Sequence, residues 1–398
     1  TTLAPAAAKI SAIANPIPLL APVMRATFPF REKTEDKSMR IGLYYSPKIN
    51  KNKSLKTKTK VFKFKSSQNQ RLFYLMKEII FDQPGMPLEV LQIKESPIPS
   101  PKPEEVLIRV TARNINPSDL MFIRGMYGIT PKLPSSAGFE ASGVVETGDQ
   151  KGRITKGTRV MFTAIGTWRE YVCIPASMVI PVPEGMPDEV ACQAFVNPMT
   201  AYGMLEESGL EEGQWLLITA GASAFGKFAI QMAKQKKIKV AATVRSDSQK
   251  EVLEKLGADL VINSETEKIQ KVIPEKTEGG VHVIFDAVGG MLGAKALACL
   301  RSNGRMMVFG ALALENMPIN SGLLIFKNLS ITGFWLSIWI ENRSAEQRMK
   351  AFEKVFGFLM QDSSQVDVAR KFDLCDFKEA IQAYETPGRN GKILLVSE

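Results

Sequence analysis

The chain has 398 residues, more than one hydrophobic core usually organises, and 45% of it is apolar, enough for two cored domains. Its formal charge of +10 is confined to the start: 14 Lys/Arg and 3 Asp/Glu precede residue 71, leaving 37 against 38 in a nearly neutral body, which excludes the basic face of a nucleic-acid binder. No apolar run approaches the roughly 20 residues of a membrane span, and Cys173, Cys192, Cys299 and Cys375 lack CxxC spacing, which excludes a four-thiolate zinc site or disulfide framework and fits a reducing compartment.

Residues 1–70 are Ala/Pro-rich and then Lys-rich in "KINKNKSLKTKTKVFKFK", with few acids and no sustained hydrophobic period. They read as a basic leader or disordered tail, and an organelle transit peptide is one candidate. From Met76 to Pro187 short β patterns follow one another, "EEVLIRVTARNIN", "SGVVETG", "GTRVMFT" and "WREYVCIP", punctuated by Gly and Pro. Within this β-rich stretch "FIRGMYGITPKLPSS" places Tyr127 in a glycine- and proline-rich loop. It is either a half-buried packing residue or a donor of a proton or hydrogen bond.

After Asp188 apolar strands alternate with amphipathic helices, which implies a parallel sheet covered on both faces. "LLITAGASAFGKFAIQMAK" has the strand, small-residue turn and helix of a phosphate-binding unit, with Ser223 where G-x-G-x-x-G carries its second glycine. Helix-terminal amides can hold phosphate there regardless. The next strand, "VAATV", ends in Arg245, Ser246 and Asp247. Arginine in place of an acid suits a 2′-phosphate and points to NADPH, with Asp247 a competing partner for Arg245. The single histidine, His282 in "GGVHVIFDAVGG", reads as strand packing, which removes the base of serine-histidine chemistry. Trp335 and Trp339, four apart, are either a core pair or set Trp335 beside a substrate chain. Helices near Ala345–Met360 and Asp376–Glu385, then the strand "KILLV", return the chain to the first domain.

From Met76 to Glu398 the chain resembles the medium-chain dehydrogenase/reductase superfamily, and within it the mitochondrial trans-2-enoyl thioester reductases, through "GMYG", "FVNPMTAY" and "LLIFKNLSITGFWLSIW". The resemblance implies an α/β fold: a GroES-like β-rich catalytic domain over 71–195 and 336–398, and a Rossmann doubly wound parallel-sheet cofactor domain over 196–335. It implies Tyr127 as proton donor, and Asn197 as a cofactor contact with Thr200 near the nicotinamide. Ala222, Ser223, Ala224 and Phe225 fall at the pyrophosphate, and Arg245, Ser246 and Asp247 at the 2′-phosphate. Phe309, Gly310, Ala311, Leu312, Phe334, Trp335, Leu336, Ser337 and Lys392 complete the implied cofactor site.

Two departures stand out. Where zinc-dependent members carry Cys and Gly-His-Glu ligands this chain has "NINPSD" and Gly138-Phe139-Glu140, so no metal is expected. Ala222 and Ala224 also replace the polar residues usual in the turn. The implied activity is NADPH-dependent reduction of the C2=C3 bond of trans-2-enoyl thioesters on coenzyme A or acyl carrier protein. A zinc-free quinone or alkenal reductase and a non-catalytic NADPH-binding protein are the alternatives. The resemblance further implies a homodimer paired through "LLIFKNLSITGF", located in the mitochondrion if the leader is a transit peptide and in the cytoplasm otherwise.

Overall fold

The computed structural model describes residues 61–62, 73–361 and 367–397. The basic leader expected over 1–70 lies outside them, apart from Val61–Phe62, which pairs antiparallel with Phe73–Tyr74.

Strand Glu105–Asn114 alternates buried and half-buried residues until its last three, all buried. That pattern fits one solvated face and an end that dips into the interior. Around it, among the described residues, lies a seven-stranded sheet ordered Val368–Asp373, Lys392–Val396, Glu105–Asn114, Glu140–Thr147, Arg159–Thr163 and Val179–Pro181, with Tyr171–Pro175 also paired to Glu105–Asn114. Lys392–Val396 runs antiparallel to Glu105–Asn114, so the end of the chain completes the domain its early strands began. Gly138 is required where the chain enters Glu140–Thr147: its φ is +93°, and an added Cβ would lie 2.2 Å from Cδ1 of the fully buried Trp168.

The second sheet is wholly parallel, ordered Leu260–Asn263, Lys239–Val244, Trp215–Ile218, Val281–Asp286, Leu300–Val308 and Ser330–Gly333. Its strands are apolar on both faces, and alternate residues feed two separate cores. Leu216, Ile218, Val240, Ala242 and Phe285 pack with helices Val196–Ser208 and Ala224–Gln235. Leu217, Ala241, Ile284 and Met306 pack with helices Ile269–Lys276 and Gly290–Ala298. This is the Rossmann doubly wound arrangement, beside the GroES-like sheet domain. Helices Leu336–Glu341 and Ala345–Leu359 lie past the expected boundary at residue 335, yet Trp339, Phe352 and Val355 join the first of these cores.

Strand order reverses between Trp215–Ile218 and Val281–Asp286, and a crevice opens at the carboxyl ends of strands at such a switch point. No helix among the described residues is long and apolar enough to cross a membrane.

Candidate active site

A cleft of about 1660 Å³ runs between the two domains. It exceeds the ~300–1,000 Å³ of an ordinary small-ligand pocket, and so has room for a dinucleotide and a second molecule.

One end is built on the phosphate turn. Ser223 caps helix Ala224–Gln235, its Oγ accepting from Gly226 N at 3.1 Å. The residue that replaces the motif's second glycine thus satisfies one terminal amide. The amides of Ala224 and Phe225, first and second in the helix, have no intrahelical acceptor and lie at the cleft with the positive end of the helix dipole. A Cβ on Gly226 would come within 2.3 Å of Gly221 O, so glycine is needed for the helix to start this close to the strand. Ala222 contributes only a methyl group beside this cradle. Phe225 lies against Phe309, ring centroids 4.0 Å apart, and Gly310, Ala311 and Leu312 continue the same wall.

Arg245 is exposed on the cleft at the end of Lys239–Val244 and has no ion-pair partner among the described residues. The competing pair with Asp247 does not form. Asp247 meets Lys250 at 3.0 Å and accepts from Asn263 Nδ2 at 3.3 Å, while Ser246 and Ser248 hydroxyls share a hydrogen bond of 2.8 Å. Neither Ser246 nor Asp247 lines the cleft, in contrast to Arg245 and the other expected site residues. Free helix-terminal amides with an uncommitted arginine one strand away fit a dinucleotide that carries a 2′-phosphate.

At the other end Tyr127 follows helix Pro117–Ile123. Its ring is half-buried between Phe139, at 5.2 Å, and Trp335, at 5.9 Å and 85°. Trp335 Nε1 donates to the Tyr127 hydroxyl at 3.1 Å. Indole has only a donor to offer, so the phenolic hydrogen stays free for a molecule in the cleft. Burial raises the Tyr127 pKa above its usual value, Trp335's hydrogen bond opposes this, and the Asp119 carboxylate adds to it. The group is a protonated donor at neutral pH.

The two tryptophans part company. Trp335 lines the cleft with Phe334, Leu336 and Ser337, whereas Trp339 is buried, donates from Nε1 to Glu207 at 3.2 Å and lies under the Arg343 guanidinium. Phe139 lines the cleft and Met199 fills the core. Thr200 lines the cleft while its hydroxyl donates back to Val196 O at 2.6 Å. His282 packs in its strand, Nδ1 accepting from Trp215 N at 3.1 Å.

Behind Tyr127 lies a buried polar network that the sequence reading missed. Asn116 Oδ1 accepts from Asn197 Nδ2 at 3.2 Å and from the Lys392 ammonium. Asn116 Nδ2 donates to Asn114 Oδ1 at 3.0 Å and to Glu140 Oε1 at 2.8 Å, and Glu140 Oε2 accepts from Val196 N at 3.0 Å. Lys392, expected to meet the cofactor, is 5% exposed, and its ammonium is engaged with Asn116 and Ile115 O. Burial lowers its pKa to about 8, against the pull of Glu140 and Asp119. Burial likewise raises Asp119 to about 8, against the Asn116 amide and Lys392. "NINPSD" and "GFE" were the available signal: read as missing metal ligands, they supply Asn114, Asn116, Asp119 and Glu140. Among the described residues no three His, Cys, Asp or Glu side chains are grouped to hold a metal ion.

Residues 102–184 match the family model described as alcohol dehydrogenase GroES-like domain, and residues 224–351 that described as zinc-binding dehydrogenase. The chain is 29% identical over 334 residues to the mitochondrial enoyl-[acyl-carrier-protein] reductase of Mus musculus, covering 80% of this chain and 88% of that protein. It is 34% identical over 264 residues to prostaglandin reductase-3 of Mus musculus, covering 63% and 70%. The solved structure of Escherichia coli quinone oxidoreductase complexed with NADPH superposes with a TM-score of 0.75 at 29% identity, covering 81% of this chain and all of that one. By these matches, and by the two domains and the cleft between them, the chain belongs to the medium-chain dehydrogenase/reductase superfamily of oxidoreductases.

Proposed function

We propose that the chain is an NADPH-dependent reductase of the C2=C3 double bond of trans-2-enoyl thioesters, carried on coenzyme A or acyl carrier protein. The observation that carries this reading is the Tyr127 hydroxyl. It is held by Trp335 so that its own hydrogen remains available, in a pocket walled by Phe139 and Trp335.

NADPH, when bound, supplies the hydride. The amides of Ala224 and Phe225 would hold its pyrophosphate and Arg245 its 2′-phosphate. Asn197, whose Nδ2 donates to Asn116, lines the cleft and would be a further cofactor contact. Reduction at the β-carbon drives negative charge onto the thioester oxygen, and a preorganised donor in a dry site stabilises that charge strongly. The α-carbon takes up a proton to complete the reduction, and the single Tyr127 hydrogen serves either as the hydrogen bond to that oxygen or as that proton.

Turnover measured by NADPH oxidation tests the reading. Crotonyl and hexenoyl thioesters are expected to exceed a simple quinone in kcat/KM by about tenfold or more, one tenfold step being 1.36 kcal/mol of transition-state discrimination. A quinone turned over faster than both thioesters reassigns the chain to quinone reduction.

The reading extends to a homodimer in the mitochondrion. The basic leader and the relatives named as mitochondrial support the location, which subcellular fractionation checks. Edge strand Ser330–Gly333 and the exposed Ile325 and Phe326 offer a surface for a second copy. A monomeric mass in light scattering overturns the dimer.

A further inference from the structure

Lys227 belongs to neither end of the site as described. It is the fourth residue of helix Ala224–Gln235, the helix whose first amides face the cleft. Its side chain is 4% exposed and forms an ion pair with Asp367. Its ammonium also donates to Asn390 Oδ1 at 2.6 Å. Asp367 and Asn390 lie in the other domain, just ahead of strands Val368–Asp373 and Lys392–Val396 of the seven-stranded sheet. The segments that carry them are tied together there, because Lys392 N donates to Asp367 O at 2.9 Å. Lys227 and Asp367 both line the cleft. A single helix therefore carries the amides suited to a pyrophosphate and a cation that grips the opposite wall.

We propose that Lys227, Asp367 and Asn390 form an interdomain clasp that sets the width of the cleft beside the pyrophosphate subsite and so controls NADPH release. Lys227 is a positioning residue in this role. Opening the cleft pulls the buried Lys227 ammonium from Asn390 and from the partly exposed Asp367 carboxylate, so it breaks a hydrogen bond and an ion pair together. The side chains of Ala222 and Ala224 offer the phosphates no hydrogen bond, so retention of the nucleotide depends on how closely the two walls are held. A direct phosphate ligand is a different arrangement, in which Asp367 competes with the cofactor for the ammonium. The two arrangements predict opposite signs for the loss of Asp367.

The inference rests on NADPH being the cofactor and is independent of the substrate reduced. The test uses the purified full chain without substrate, following NADPH fluorescence during binding and during displacement by excess NADP⁺. Lys227→Met and Asp367→Asn are each expected to accelerate NADPH release about tenfold while association changes less than about twofold, the usual split for a lost holding contact. The double variant is expected to release no faster than either single one, and Lys227→Arg to restore slow release. Asp367→Asn is nearly isosteric and serves if Lys227→Met does not fold. Wild-type protein that fails to bind NADPH overturns the cofactor reading and the clasp together. With wild type binding, unchanged or slower release from Asp367→Asn overturns the clasp alone.

Discussion

The two walls of the cleft are made of different material. On the parallel-sheet side the chemistry is backbone: strand ends, a tight turn and two helix-terminal amides, with Arg245 the added charge. On the β-rich side it is side chain: Tyr127 held by Trp335, and behind it Asn116, Glu140, Asp119 and Lys392 closed off from water. A wall of amides tolerates replacement, since every residue but proline supplies the same N–H. That is how serine and alanine stand in a glycine motif here without loss of the cradle. A wall of buried polar groups does not, because deleting one partner leaves others unsatisfied at roughly 1–3 kcal/mol each. Variants of Tyr127 and the network behind it should therefore act on the reaction step, and variants of the phosphate turn and Arg245 on the nucleotide, while the Lys227–Asp367 pair joins the two walls.

The largest effect expected from that contrast is Tyr127→Phe. The ring and its packing against Phe139 survive, and the one donor aimed at the developing charge is lost. A fall in kcat of about 10²–10⁴ follows for removal of a general acid or oxyanion donor, with NADPH affinity unchanged in a fluorescence titration. The pH profile carries a second signature. Burial raises the phenol's pKa, so the protonated, active form persists to higher pH than for an exposed tyrosine, and Tyr127 causes no loss of rate between pH 7 and its usual value of about 10. A steep fall in kcat beginning near pH 8, abolished in Tyr127→Phe, contradicts the assignment. Weakened NADPH binding in the variant breaks the division between the walls.

The same contrast explains what could be read in advance. Alternation of period two, the shift to helix-strand rhythm and the strand-turn-helix at Gly221 are local patterns, and each lies where local physics puts it. Tyr127 stood out through the resemblance carried by its "GMYG" loop, and the residues alone left packing and proton donation both open. Partner choice over long separations was not legible. Trp335 reaches Tyr127 across 208 positions and Lys392 reaches Asn116 across 276, and no window of sequence carries that information. Trp335 and Trp339 share one apolar stretch, and only the packing around them separates a cleft residue from a core one. Ser246 and Asp247 lie off the cleft for a local reason instead. Ser246 is the N-cap residue of a short 3₁₀ helix, Asp247–Gln249, and the side chains of Ser246 and Asp247 meet Ser248, Lys250 and Asn263, while Gln249 lines the cleft. Nothing near Lys227 in the sequence marks it, because its partner is an acid 140 positions away.

The smaller effect belongs to the parallel-sheet wall. Arg245 is exposed and has no ion-pair partner among the described residues, so removing it strands no described partner and disturbs no core. What is lost is a charge-assisted fork to a phosphate, worth about 1.5–3 kcal/mol. Arg245→Ala should thus lower the preference for NADPH over NADH by about 10- to 100-fold, read as the ratio of kcat/KM values. NADH binding and kcat at saturating NADPH should remain within about threefold of wild type, because the amides of Ala224 and Phe225 still hold the pyrophosphate. Asp247→Asn serves as the matched control: its carboxylate already faces Lys250, and it should leave the preference where it was. A preference that survives Arg245→Ala moves recognition of the 2′-phosphate to another group on this wall, and one that collapses with Asp247→Asn shows that the pair dismissed from the geometry forms when the nucleotide is bound.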